Sequence, residues 1–201
     1  MVVAVSAKLQ RHELGITWTA QGGTVRSAHA VVSGGRVWLI DPFEDEAALS
    51  AAAELGEPAS VLQLLDRHNR DCQPLAQRLG VALARLPDRT PDTPFEVVPV
   101  ISRKGWREIA LWWPEQTALI VAEAVGTAPA FAVGRRAGVH PLLRLTPPRR
   151  QLSAYAPERL LVGHGETIES DASAALKDAL DHARSDIPRL LLKLPSLLRH
   201  G

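Results

Sequence analysis

The sequence predicts an α/β fold, and three observations predict it. Short runs of β-branched and aromatic residues separated by Gly-Gly pairs open the chain, Ala/Leu/Glu segments of helical period follow, and the two kinds then alternate as strand, helix, strand. The 201 residues, 46% of them apolar, suffice for one domain with a proper core and leave no room for two ordinary ones.

Taken in order, the runs 16–20 and 28–32 flank Gly22-Gly23, and Gly34-Gly35 feeds 36–42, which gives a meander of antiparallel strands. Residues 44–55 are helical in pattern, with acidic residues in the first turn and Gly56 placed to end the helix. A short apolar run at 60–65 reads as a buried strand, 73–79 as a helix stopping at Gly80, and 82–86 as a strand. The Pro-rich stretch 86–94 is a surface loop by composition. Strands at 95–101, 108–113 and 117–125 follow, the last two joined by a Pro114-Glu115-Gln116 turn, and one of Trp112 and Trp113 packs inward while the other faces out. Residues 126–144 are poorly patterned. Thr146 followed by Pro147 has the form of a cap and first-turn proline leading into a helix at 149–155. A strand at 159–162 runs into His164, and 170–184 is a helix with an Ala/Leu face. In the apolar and basic tail 186–201, Leu190, Leu191, Leu194, Leu197 and Leu198 share one helical face, although Pro195 weakens a regular helix. The tail is expected to pack on its own domain, with a homodimer contact as the alternative.

Charge and composition exclude several classes. The balance of 23 basic and 22 acidic residues, a net +1, supplies no field that would steer the chain to nucleic acid or an anionic membrane. No apolar run has the length of a transmembrane segment, and the N-terminus lacks the basic start and long apolar stretch of a secretory signal. The single cysteine, Cys72, excludes an intrachain disulfide. A cytoplasmic location is the simplest expectation.

Two segments carry the chemistry: Leu64-Leu65-Asp66-Arg67-His68-Asn69-Arg70-Asp71-Cys72 and Leu160-Leu161-Val162-Gly163-His164-Gly165-Glu166. With the early Leu39-Ile40-Asp41-Pro42 and the strand pair 108–125, they resemble the metallo-β-lactamase fold over residues 16–184. The resemblance implies one domain built as an αββα four-layer sandwich, two mixed sheets between outer helices, with metal at one edge. Laid on the family's His-x-His-x-Asp-His loop, Arg67 and Asn69 take the first two histidines, Asp71 the aspartate and Cys72 the third histidine. Lys104 takes the histidine of the family's Gly-His-Thr turn, Glu123 the bridging aspartate and His164 the last histidine. A register slip of one in the 67–72 loop makes His68 a candidate in place of Asn69.

The resemblance thus implies that the first metal position is lost to Arg67, Asn69 and Lys104, while Asp71, Cys72, Glu123 and His164 retain a donor set for one zinc or iron ion. Two carboxylates at a partly buried edge need neutralising, and Arg67 and Lys104 can do so against Asp71 and Glu123 with no ion bound. Two readings stay open. In the first, the chain has lost the dinuclear centre, takes no cofactor, and binds a small, anionic molecule at Arg67 and Lys104 without hydrolysis. In the second, it is a mononuclear metal-dependent hydrolase of a small ester, thioester, lactone or phosphoester. Trp106, in the turn that replaces Gly-His-Thr, is expected to cover the cleft. Cys72 is read as a small packed side chain before a nucleophile. His12, His29, His140, His182 and His200 have no partners at ligand spacing and read as surface or core residues.

Overall fold

The computed structural model describes residues 7–20, 25–68 and 70–197. Its first half is a six-stranded sheet in the order β1 (Lys8–His12), β2 (Gly15–Ala20), β3 (Arg26–Ser33), β4 (Arg36–Ile40), β5 (Glu57–Gln63) and β6 (Ala82–Arg85). The pairings β1–β2, β2–β3 and β3–β4 are antiparallel, as successive hairpins require. β5 and β6 run parallel to β4 because a helix intervenes before each: α1 (Glu46–Ala53) and α2 (Cys72–Leu79). Asp45 caps α1 by accepting the Ala48 N–H at 2.9 Å. The meander is one strand longer than the alternation from residue 16 onward indicates, because β1 is only partly buried and carries little apolar signal.

The second sheet has the order β12–β9–β8–β7, formed by β7 (Glu96–Arg103), β8 (Trp106–Trp113), β9 (Ala118–Val121) and β12 (Arg159–Val162), with only β12 parallel to its neighbour. A separate antiparallel pair joins β10 (Val125–Gly126) to β11 (Gly138–Val139). Short helices α3 (Pro129–Ala132) and α4 (Arg149–Leu152) precede α5 (Ala172–Asp181) and α6 (Ile187–Leu197). The helix expected from the Thr146-Pro147 cap starts later, at Arg149 with Pro148 as its cap. The Thr146 N–H closes a turn on the Leu143 carbonyl instead.

The two sheets stack, as the period of two in β4 shows. Trp38 and Ile40 join Leu111, Trp113, Leu119 and Leu160 in the core between the sheets, whereas Val37 and Leu39 face Ala48, Ala51, Ala52 and Ala76 of the helices outside. α1 and α2 cover the first sheet, and α4 and α5 the second, so the layers run helix, sheet, sheet, helix. Trp113 is buried and Trp112 rests against Tyr155, as the alternation requires. α6 forms in spite of Pro195 and packs against α3. Of the expected stripe, Leu190 is buried and Leu191 is exposed, and the side chains of Leu194, Leu197 and Leu198 lie outside the described residues. Among the described residues no helix is long and apolar enough to cross a membrane.

At one end of the sandwich the seam between the sheets is polar. Ser27 donates its N–H to the Gly163 carbonyl at 2.8 Å and its hydroxyl to the Gly165 carbonyl at 2.5 Å, tying β3 to the loop after β12. Beside it His29 lies between the Thr17 hydroxyl at 2.8 Å and the Val162 carbonyl at 3.2 Å. The carbonyl can only accept, so neutral His29 carries its proton on Nε2 and accepts from Thr17 on Nδ1. Burial, aided by His12 and Arg70, lowers the His29 pKa from 6.5 to about 3. The unfolded chain therefore takes up this proton first as pH falls below about 6.5. The stability contributed by neutral His29 is complete above that value and is lost progressively down to about pH 3. Urea unfolding of His29→Gln across pH 7 to 4 should show a shallower acid slope than the parent, by up to about 1.4 kcal/mol per pH unit.

Candidate functional site

Asp41 ends β4 in a left-handed conformation, φ 44°, which turns its carboxylate across the end of β5. Oδ1 accepts the Leu64 N–H at 2.9 Å, and Oδ2 accepts Nδ1–H of His68 at 2.9 Å. With its Nδ1 proton committed to the carboxylate, neutral His68 turns the Nε2 lone pair toward the cleft. Arg70 lies beneath, donating from Nη1 to the carbonyls of Ser27 and Asp41, both at 2.7 Å, with Nη2 3.4 Å from His68 Nε2.

His164 sits in the loop after β12 between two glycines that the packing requires. A Cβ on Gly163 would lie 2.1 Å from the Ala122 carbonyl oxygen, and one on Gly165, φ 114°, would lie 2.2 Å from Thr127 Oγ1. His164 donates Nδ1–H to the Val25 carbonyl at 2.6 Å and stacks on Phe131 with ring centroids 5.1 Å apart. Its Nε2 is buried and has no hydrogen-bond partner among the described residues. Burial, followed by the neighbouring His68, lowers its pKa to about 4, so it is neutral at physiological pH.

Glu123 lies where the strand expected at 117–125 breaks into β9 and β10. The break has a cause in β8: buried Glu108 accepts the N–H groups of Glu123 and Ala124 on one oxygen, each at 2.8 Å, and Trp106 Nε1–H on the other at 3.2 Å. Burial pushes the Glu108 pKa up to about 7 against those three donors. The Glu123 side chain is shared: Oε2 accepts Arg67 Nη2 at 2.5 Å, and Oε1 lies 3.8 Å from His164 Nε2 and 3.7 Å from His140 Nε2.

One ligand atom from each of His68, Glu123 and His164 lies within 4.8 Å of the others, a group able to hold a metal ion. Two imidazoles and a carboxylate suit zinc or a similar borderline ion, and both imidazoles are held by an outer hydrogen bond, as ligating histidines generally are. The orphaned, buried Nε2 of His164 is what such an ion would satisfy.

Neither a protein-family model nor a curated protein sequence matches the chain. Similarity appears in three dimensions. A metallo-β-lactamase from Erythrobacter litoralis superposes with a TM-score of 0.62 at 12% identity, covering 90% of this chain and 93% of that one. The DIM-1 metallo-β-lactamase exposed to ceftazidime gives 0.60 at 14% identity, covering 90% and 97%. The FIM-1 metallo-β-lactamase from Pseudomonas aeruginosa, in its mono-zinc form, gives 0.58 at 11%, again covering 90% and 97%.

The structure redistributes the sequence-predicted site. Glu123 and His164 come together, but with His68, as the one-residue slip of the loop provides; Asp71 and Cys72 do not join them. Asp71 Oδ2 accepts the Glu44 N–H at 2.8 Å. Cys72 opens α2 and is buried in the outer core beside Ala48 and Ala76, its Sγ 3.5 Å from the His68 carbonyl oxygen. Lys104 is exposed in the turn between β7 and β8 and forms no ion pair among the described residues, so the second cation of the site is Arg70. Asn69 lies outside the described residues. Trp106 is buried and backs Arg67, whose guanidinium stands 4.1 Å from its ring centroid, so it is a wall of the cleft and not a cover. Three residues escaped the sequence reading: Arg70, Glu108 and His140. Glu108 had a signal, the lone acid at the head of the apolar run 109–113 in β8. His140, from the unpatterned 126–144 stretch, had none.

Burial, then Asp41, pushes the Cys72 thiol up to about 12. Alkylation of Cys72 by iodoacetamide at pH 8 should be roughly 100-fold or more slower in the native chain than in urea. Equal rates would place the thiol in an open cleft.

Proposed function

We propose that this chain, which has the metallo-β-lactamase fold, holds a single divalent metal ion on His68, Glu123 and His164 and hydrolyses a small, negatively charged ester, thioester, lactone or phosphoester. The observation that carries this reading is the buried, unpartnered Nε2 of His164, 3.8 Å from a Glu123 carboxylate oxygen. A lone pair facing a carboxylate is repulsive unless a cation or a proton lies between them. Burial lowers the His164 pKa and so disfavours a proton there, which supports a cation at that point. When bound, the ion would polarise the oxygen of the scissile group and make an attacking water more acidic.

The chain's own residues do the rest. Asp41 and the Val25 carbonyl orient the two imidazoles. Glu108 braces the backbone that carries Glu123. Arg67 and Arg70 supply positive charge for an anionic substrate group. A structurally similar lactamase described in a mono-zinc form supports a one-ion occupancy for this fold.

A second reading, loss of the metal centre and non-hydrolytic binding of a small anion, is favoured by Arg70. Its Nη2 lies 3.4 Å from His68 Nε2, and with Arg67 it balances Asp41 and Glu123 without any ion. Elemental analysis separates the two. Protein purified without chelator or affinity-column nickel and dialysed against zinc should retain one zinc per chain, and Cys72→Ser should retain it too. His68→Ala and His164→Ala should lose it with unchanged circular dichroism. A metal-free parent chain would transfer the assignment to the anion-binding reading, and two tightly held ions would overturn both.

A further inference from the structure

The three imidazoles around Glu123 are sorted by what their Nδ1 atoms face. In His68 and His164, Nδ1 meets an acceptor, the Asp41 carboxylate and the Val25 carbonyl, so both carry the proton there and turn a lone pair toward the cleft. In His140, Nδ1 accepts the Leu142 backbone N–H at 3.1 Å. A backbone N–H can only donate, so neutral His140 carries its proton on Nε2, and that N–H faces Glu123 Oε1 at 3.7 Å. The site therefore holds two imidazole acceptors and one imidazole donor.

The donor is built into a wall. The His140 ring stands edge-on to Trp106 with centroids 4.9 Å apart and against Phe131 at 5.2 Å. The Arg67 guanidinium rests on the same indole at 4.1 Å and reaches Glu123 Oε2 at 2.5 Å. Trp106 is itself anchored through Nε1–H to Glu108. Both donors thus point at one carboxylate from a shared aromatic support, and 44% of the Arg67 side chain stays exposed to solvent. A cation on Glu123 Oε1 would compete with His140 Nε2–H for that oxygen, while Arg67 would keep Oε2 and still have guanidinium N–H groups to offer another acceptor.

We propose that His140 and Arg67, both seated on Trp106, form the donor wall of the site and bind an anionic oxygen of the substrate, a carboxylate or phosphoryl oxygen, with His140 a fixed Nε2–H donor and not a metal ligand. This rests on the single-metal reading for what occupies the other wall. His140 then touches substrate as an oriented hydrogen-bond donor that needs no change of protonation.

The test is the imidazole two-bond ¹H–¹⁵N spectrum of the full-length chain, assigned with His140→Gln and His164→Gln, recorded before and after zinc and then with acetate. The expected result is the Nε2–H tautomer at His140 against the Nδ1–H tautomer at His68 and His164. Zinc should move the Nε2 resonances of His68 and His164, and acetate should move that of His140. Arg67→Gln should weaken acetate binding about tenfold, the scale of one lost charge-assisted contact. An Nδ1–H tautomer at His140, direct zinc ligation by its Nε2, or acetate saturation that leaves His140 unmoved would overturn the donor wall. Absence of any zinc response, with His140 still on Nε2–H and responsive to acetate, would defeat the metal reading alone and keep the wall.

Discussion

The architecture of this site depends on one buried carboxylate, that of Asp41. Its two side-chain oxygens hold the Leu64 N–H and His68 Nδ1, and its backbone carbonyl accepts Arg70 Nη1. The end of β4, the exit of β5 and the loop leading to α2 thus converge on one residue. Burying an ionised carboxylate costs several kcal/mol unless it is paired and hydrogen-bonded. The nearby Arg70 guanidinium and these donors meet that cost, and in doing so they fix His68 in the tautomer that presents a lone pair to the cleft. The left-handed backbone of Asp41 is part of the same solution, since an extended residue would carry the chain on along the sheet.

A second buried carboxylate, that of Glu108, does for the other sheet what Asp41 does for the first. Glu108 takes the N–H groups that would otherwise continue the β9 ladder, so the strand stops and Glu123 is presented at the end of the sheet. Trp106 shares the Glu108 carboxylate and supports Arg67 and His140. The loop after β5 thereby contributes Arg67, His68 and Arg70, the end of β9 contributes Glu123, and the residue after β11 contributes His140. The polar seam from Ser27 to Gly165 sets His164 between them.

Most of the fold was legible in the sequence, because it follows from hydrophobic period and turn chemistry. The 36–42 run, with Trp38 and Ile40 alternating against Val37 and Leu39, identifies a strand buried on both faces without reference to anything distant. Glu123 and His164 entered the sequence reading through the motif resemblance, as the bridging aspartate and the last histidine, and they lie just past the ends of β9 and β12. The ligand loop was only half legible. Its register decides whether Asp71 and Cys72 or His68 face the cleft, and the register is set by Asp41, some thirty residues upstream, through the bond to His68. His140 was not legible at all, since its role comes from a Leu142 N–H and from two aromatic neighbours, Trp106 and Phe131, that no local spacing brings together.

Arginines beside a group of imidazoles and a carboxylate read at first as the end of metal binding, but charge and coordination are separate requirements. Arg67 and Arg70 answer the first, balancing Glu123 and Asp41. They answer the second only in part. Arg67 occupies Oε2 of Glu123 and leaves Oε1 facing two imidazoles, while Arg70 approaches His68 Nε2 at a long 3.4 Å. His164 Nε2 receives no donor from either guanidinium. A site evolved only to neutralise its carboxylates has no need to hold two imidazoles by their outer nitrogens and aim their inner lone pairs at a third acceptor. Three electron-pair donors facing one another form a group able to hold a metal ion, and this coordination geometry, more than net charge, is what supports the single-metal proposal.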